Sequence, residues 1–207
     1  MNYNKPDTKL DECIYVAKNI IPAELCDSIV QNIETREWSP HSWYNGYMDK
    51  SHSEETMELD VQSSTPELQK KLTEYIIQVS KQYDQNYALG NNFVFYNLLN
   101  QSKSEMVQII KMFSHIRFNR YEPGQIMRQH VDHIHSLFDG KIKGVPLLSF
   151  ILNFNDDYEG ADLYFWEDTI VELGKGDICM FPSNFLFPHG VTEATKGKRY
   201  SGVCWGW

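Results

Sequence analysis

Cysteine is scarce in this chain and shows no pairing pattern: Cys13, Cys26, Cys179 and Cys204 stand singly among 207 residues, with no CxxC motif and no regular framework. That argues against a disulfide scaffold or a structural zinc site and leaves buried free thiols as the expectation. Positive charge is also short, with 19 Lys and Arg against 28 Asp and Glu and a formal charge of −9. The mean field therefore repels nucleic-acid phosphate and anionic lipid, which argues against broad nonspecific binding to either. No run of 18 apolar residues occurs, and Met1 to Glu12 lacks the apolar core of a signal peptide. A cytoplasmic protein without a membrane helix is the expectation. Internal repeats and low-complexity tracts are missing as well.

What is present suits one domain over residues 1–207, a length able to bury a sizeable core. Residues 1–90 read as a helical and strand support, and residues 91–207 as a β-rich core. In the support, residues 13–21 suggest a short strand. Ile21-Pro22 then opens a helix in which Leu25, Ile29 and Ile33 recur at four-residue spacing. Residues 38–60 hold no period and read as an exposed loop or irregular hairpin, with Trp38, Trp43, Tyr44 and Tyr47 as either packing groups or a substrate lid. Thr65-Pro66 resembles a cap before a helix over residues 66–86, carrying Leu68, Leu72, Val79 and Tyr83 on one stripe. Beyond Gly90 come short runs rich in aromatic and branched residues, among them LLSFILNF, ADLYFW, DICMFP and RYSGVCW, separated by turn signals such as EPG and GKGD. Six to eight such strands predict a mainly β sandwich or barrel with flanking N-terminal helices.

The chemistry is concentrated in that core. In His130-Val131-Asp132 an imidazole and a carboxylate stand at i and i+2, which on a strand share a face. His189, in FPHGV after the apolar run DICMFP, supplies a third donor. Two histidines and one carboxylate leave three positions open on an octahedral ion, the arrangement of non-haem iron(II) that must bind both an organic chelator and dioxygen. A chelating oxoacid carries a remote carboxylate, and Arg199 in KGKRYSGVCW offers a guanidinium fork to match it. Ser201 shares the strand face of Arg199 and could donate a second hydrogen bond to that carboxylate. An HxD dipeptide alone is weak evidence; the joint pattern is specific. His133 and His135 read as rim residues of a loop over 136–146, His115 as a core or surface histidine, and His41 and His52 as parts of the irregular loop.

The stretches RYEPGQIMRQHVD, LNFNDDYEGADLYF, GKGDICMFPS and PHGVTEATKGKRYS together resemble the catalytic core of prolyl 4-hydroxylase-type 2-oxoglutarate and iron(II) dioxygenases across residues 116–207. VAKNIIPAELCDSIV is similar to the opening strand and helix of the same group. The resemblance implies a double-stranded β-helix, a jelly-roll core of cupin type. It implies iron(II) held by His130, Asp132 and His189, 2-oxoglutarate anchored by Arg199, a co-substrate pocket lined by Tyr121, and dioxygen as oxidant, with room for ascorbate. The implied reaction hydroxylates an amino-acid side chain, prolyl foremost, in a peptide or protein or as a free amino acid, and releases succinate and carbon dioxide. Retention of Asp132 points to hydroxylation over halogenation. Met127 stands where the family often has an aromatic residue, and LLSFILNF lacks a tyrosine that assists the distal carboxylate in some prolyl hydroxylases.

Two other readings stand beside this one. Asn119-Arg120-Tyr121 before Pro123-Gly124 is reminiscent of alkylation-repair oxygenases that demethylate nucleic acid, although RYSGVCWGW lacks their further arginine. A non-catalytic jelly-roll binding module is the third, for which loss of a metal ligand would be expected.

Overall fold

A computed structural model describes residues 9–44, 50–52, 58–87, 110, 112–132 and 146–207. His133, His135 and residues 136–145 of the expected loop lie outside these residues. The N-terminal part comprises β1 (Tyr15–Ala17), α1 (Ala23–Glu34), β2 (Ser39–Pro40), β3 (Ser42–Tyr44), β4 (Lys50–His52), β5 (Asp60–Ser63) and α2 (Pro66–Tyr87). The remainder is β6 (Arg117–Tyr121), β7 (Met127–His130), β8 (Leu148–Asn153), β9 (Glu159–Gly160), β10 (Leu163–Phe165), β11 (Thr169–Val171), β12 (Ile178–Pro182), β13 (His189–Val191), β14 (Ala194–Lys196) and β15 (Arg199–Gly206).

Both helices form where the apolar spacing places them. Pro22 sits at the N-cap of α1, where the first-turn amides of Leu25 and Cys26 donate to its carbonyl, and Cys26, Ile29 and Ile33 make the buried stripe. On α2 the Thr65 hydroxyl caps the Leu68 amide at 3.3 Å, and Leu72, Ile76 and Val79 are fully buried. Their apolar faces cover a seven-stranded antiparallel sheet of order β1-β12-β8-β15-β6-β5-β2. A four-stranded sheet, β11-β10-β13-β7, lies across the other face. The second core, with Ile151, Cys179 and Phe181 from one sheet and Leu163, Phe165 and Val191 from the other, fills the gap between them.

The strand content matches the mainly β expectation, and the described part of residues 38–60 is a hairpin of β3 and β4 flanked by strands of the large sheet instead of an exposed loop. β2 and β5 extend the large sheet beyond β6, and β5 had no signal, because Asp60–Ser63 (DVQS) is short and polar. Leu59 is fully buried, and Trp38 packs at 6.4 Å against Tyr200 under the Arg120 guanidinium. Trp38 is therefore a packing group; Trp43, Tyr44 and Tyr47 fall outside the side chains described. The GKGD turn ties the opening strand to the core: the Ile20 and Ile21 amides donate to the Gly176 carbonyl. Gly176 adopts a φ of 85° with its α-carbon so near the Ile21 carbonyl that a β-carbon would lie 2.3 Å from it.

Candidate active site

β7 and β13 pair antiparallel in the smaller sheet with His130 directly opposite His189. The register shifts between His189 and Val191, because Arg128 and Gln129 on β7 face Gly190 alone; this is a β-bulge, and it allows both Met127 and His130 to point into the gap between the sheets. Gly190 permits the close approach: a β-carbon there would come within 2.5 Å of the Tyr164 hydroxyl and 2.8 Å of the Met127 carbonyl. Asp132 follows two residues after His130. Its Oδ1 lies 3.4 Å from His130 Nε2 and its Oδ2 lies 3.6 Å from His189 Nε2. Ligand atoms of all three residues fall within 4.8 Å of one another.

The surroundings fix the chemical form of each group. His130 Nδ1 lies 2.8 Å from the Arg128 carbonyl and His189 Nδ1 lies 3.0 Å from that of Phe187. A carbonyl only accepts, so Nδ1 carries a proton in both rings, and Nε2 is the nitrogen turned toward Asp132. Burial lowers the pKa of His189, with His130 adding to the effect and Asp132 opposing it, which favours the neutral ring that a metal requires. Burial pushes the Asp132 carboxyl up. The two imidazoles and the Ser149 hydroxyl, which donates to Oδ2 at 2.6 Å, outweigh that and hold it well below the usual carboxylate range. Ser149 is in turn 2.5 Å from the Ser183 hydroxyl, both buried. Phe165 and Phe181 enclose the His189 ring. Two imidazoles that turn Nε2 inward and one carboxylate, with their ligand atoms within 4.8 Å of one another, fit a divalent first-row metal ion.

Arg199, at the start of β15, is 1% exposed. Its Nε donates to Asn153 Oδ1 at 3.0 Å and its Nη1 to the Ala161 carbonyl at 2.9 Å, while the guanidinium lies 5.6 Å from the Tyr121 ring centroid. Ala161 presents that carbonyl from a left-handed φ of 52°, an uncommon conformation for a residue with a β-carbon. No carboxylate pairs with Arg199 among the described residues, so a buried cation stands without a counter-ion, which suits a carboxylate ligand. Tyr121 lines the pocket beside the three metal-type residues. Arg199 and Ser201 do not line it; Ser201 lies buried on β15 between Asn119 and Asn153.

The relation of this geometry to known proteins is specific. The model of the 2OG-Fe(II) oxygenase superfamily matches residues 116–207. A PKHD-type hydroxylase of Idiomarina loihiensis is 35% identical over 102 residues, which cover 46% of this chain and 43% of that protein. The chain thus spans about two fifths of the length of the curated relative it matches. The structure is similar to a Pseudomonas putida prolyl-4-hydroxylase, with a TM-score of 0.61, 19% identity and coverage of 94% of this chain and 91% of that one. It is also similar to a prolyl hydroxylase from Trichoplax adhaerens in complex with a hypoxia inducible factor peptide fragment, with a TM-score of 0.62, 12% identity and coverage of 94% and 83%. At these identities the structures establish the fold: the two facing sheets are the double-stranded β-helix expected of 2OG-Fe(II) oxygenases.

Several residues at and around the site escaped sequence reasoning. Ser149 and Asn153 support Asp132 and Arg199; their signal was two polar residues in step with Ile151 along the otherwise apolar β8. Arg117 and Asn119, in step with Tyr121 on β6, line the same pocket. His41 is not a bystander in a loop: it is buried 3.2 Å from Glu58, which also pairs with Arg128. His115 is exposed just before β6.

Proposed function

We propose that this protein is an iron(II)- and 2-oxoglutarate-dependent dioxygenase that hydroxylates an amino-acid side chain, prolyl foremost, with release of succinate and carbon dioxide. The observation that carries the reading is the pairing of two features on the inner faces of the two sheets: three inward-facing donors of metal-binding type, and a buried arginine beside the pocket-lining Tyr121 with no carboxylate partner among the described residues. His130, Asp132 and His189 would hold the iron, and Arg199, braced by Asn153 and Ala161, would bind the distal carboxylate of 2-oxoglutarate with Tyr121 alongside. Bound iron supplies the activation of dioxygen, coupled to oxidative decarboxylation of 2-oxoglutarate; one oxygen atom goes to succinate and the other to the substrate hydroxyl.

The chain's own residues prepare that chemistry. The carbonyls of Arg128 and Phe187 orient the two imidazoles, and Ser149 holds the carboxylate in place. Phe165, Phe181 and Leu163 keep the pocket apolar around His189, which limits water near the metal. The retained ligand set speaks for an enzyme over a non-catalytic module, and the net acidic charge speaks against nucleic acid as substrate. Hydroxylation is supported by the relatives named PKHD-type hydroxylases, and a prolyl target by the similarity in fold to prolyl hydroxylases.

Titration calorimetry of the protein with manganese(II), and then with 2-oxoglutarate, tests the site without turnover. Metal-dependent 2-oxoglutarate binding is expected, followed by iron-dependent succinate formation in air. A protein that binds neither metal nor 2-oxoglutarate would overturn the reading.

A further inference from the structure

The paired strands β6 and β15 carry two arginines on the face turned to the small sheet, of which the function proposed above uses one. β6 and β15 pair with Arg199 opposite Tyr121 and Arg117 opposite Val203, so the two cations sit at the two ends of a four-residue span of paired strand. At ~3.4 Å per residue that separates their backbones by roughly 14 Å along the sheet. Between them Asn119 faces the same gap, and Arg117 lines the pocket together with Asn119, His130, Asp132 and His189. The register thus places one guanidinium at the co-substrate end and a second at the opposite end, with the metal donors facing the span across the gap.

Arg117 is poorly satisfied by the protein. Its Nε donates to Asn119 Oδ1 at 3.0 Å, and its guanidinium rests 5.6 Å from the Trp205 ring centroid. The terminal nitrogens, which carry four of the five donors of the group, make no hydrogen bond to the described residues, and no carboxylate pairs with them. The Trp205 ring beneath it also has a buried indole N–H without a partner. Burial pulls the Arg117 pKa down; Tyr121 and the Asp132 carboxylate push it up, and Asp132 is the group already assigned to the metal. A half-buried cation with open donors beside the pocket that holds the three metal-type residues fits an anion that arrives with the substrate.

We propose that Arg117 receives a carboxylate of the primary substrate, so that the enzyme oxidises a carbon close to a carboxylate and discriminates against neutral analogues. The inference rests on the function proposed above. Two sources share this chemistry: the α-carboxylate of a free amino acid, and an acidic side chain next to the target residue in a peptide. A prolyl residue flanked only by neutral groups would leave Arg117 unpaired in the complex.

The test uses protein loaded with manganese(II) and 2-oxoglutarate without oxygen, titrated with two sets of probes. One set is the free amino acids, proline included, each against its α-amide; the other is blocked prolyl peptides with Glu or Gln beside the proline. At least one carboxylate probe is expected to bind tenfold or more tightly than its neutral counterpart. Arg117→Met should erase that preference, Arg117→Lys should keep part of it, and 2-oxoglutarate affinity should change less than threefold in both, which also reports an intact fold. The set that shows the preference identifies the source. Equal binding of charged and neutral probes, absence of binding by any carboxylate probe, or a preference that survives Arg117→Met would overturn the proposal while leaving the oxygenase reading standing. Loss of 2-oxoglutarate affinity in Arg117→Met and Arg117→Lys alike would overturn it too, by assigning Arg117 to the co-substrate. If the unaltered protein binds no 2-oxoglutarate, the oxygenase reading fails and this inference falls with it.

Discussion

Toward α1 and α2 the large sheet presents Phe118, Phe150, Leu152 and Tyr200 against Ile29, Ile33, Leu72 and Ile76, a mostly hydrocarbon layer. Toward the small sheet the same strands present Asn119, Ser149, Asn153, Arg199 and Ser201, all at most 2% exposed, interleaved with Ile151 and Val203. One residue of shift along β8 or β15 separates the two populations, since alternate side chains of a strand point to opposite faces. The hydrocarbon face gains free energy from every methylene removed from water. The polar face must meet the cost of desolvation with hydrogen bonds, and where these are incomplete, at Arg199 and Arg117, the open donors mark the places for a ligand. The comparison teaches that stability and chemistry are divided by strand parity in this molecule, and that mutations on the two faces should have separable effects.

The sharpest way to break that division is to remove one of the proposed metal donors. Asp132→Ala and His189→Ala should each abolish measurable manganese(II) binding and all succinate formation, while the thermal midpoint moves by only a few degrees. Calorimetry and thermal denaturation on the same samples check this, and a variant that kept its metal or collapsed in stability would defeat the separation. The converse test lies on the other face. Leu72→Ala removes a fully buried side chain from α2 and should cost about 2–5 kcal/mol of unfolding free energy. Metal affinity in the folded protein should stay unchanged, and a coupled loss would show that the helices tune the site.

Arg199→Met comes next. It preserves volume and apolar length but removes the guanidinium, so 2-oxoglutarate binding should weaken by about 2–5 kcal/mol, roughly 30-fold or more. Metal binding alone should be preserved, and unfolding free energy should hold or rise, because a buried cation without a counter-ion is replaced by hydrocarbon. Calorimetry in the presence of manganese(II) separates the two affinities.

How far this division could be read from the sequence depended on whether a feature is local. The i, i+2 spacing of His130 and Asp132 and the place of His189 just after the apolar run DICMFP are local, and so are the apolar stripes of α1 and α2 and the turn residues that separate the strands. From these, the mainly β core with N-terminal helices and the convergence of three donors follow. β5 did not, because a short polar strand such as DVQS has no period; it forms since β6 offers it an edge. The bulge at Arg128 and Gln129 depends on the register across to β13, which no local pattern encodes. His41 and Glu58 meet from opposite ends of an unpatterned stretch. Arg117 was hidden by the alternation itself, since a charged residue at a strand's start reads as solvent-facing until its partner strands are known.

Ser149 tests the smallest link on the polar face. Its hydroxyl touches the Asp132 carboxylate and the Ser183 hydroxyl but neither imidazole hydrogen bond, so it acts on the metal through one ligand's orientation. Ser149→Ala should therefore lower manganese(II) affinity by about 10–100-fold, the range for groups that support a metal ligand, with the metal still bound at saturation. Because Ser149 is fully buried, alanine also leaves Ser183 without this partner, and a stability loss of about 1–2 kcal/mol should accompany the change. Ser183→Ala discriminates between the two consequences. It leaves the Ser149 hydroxyl free to donate to Asp132, so it should cost similar stability with less than a threefold change in affinity. If both variants weakened the metal equally, the two hydroxyls would act as one relay, and the boundary of the polar site would have to be drawn to include β12.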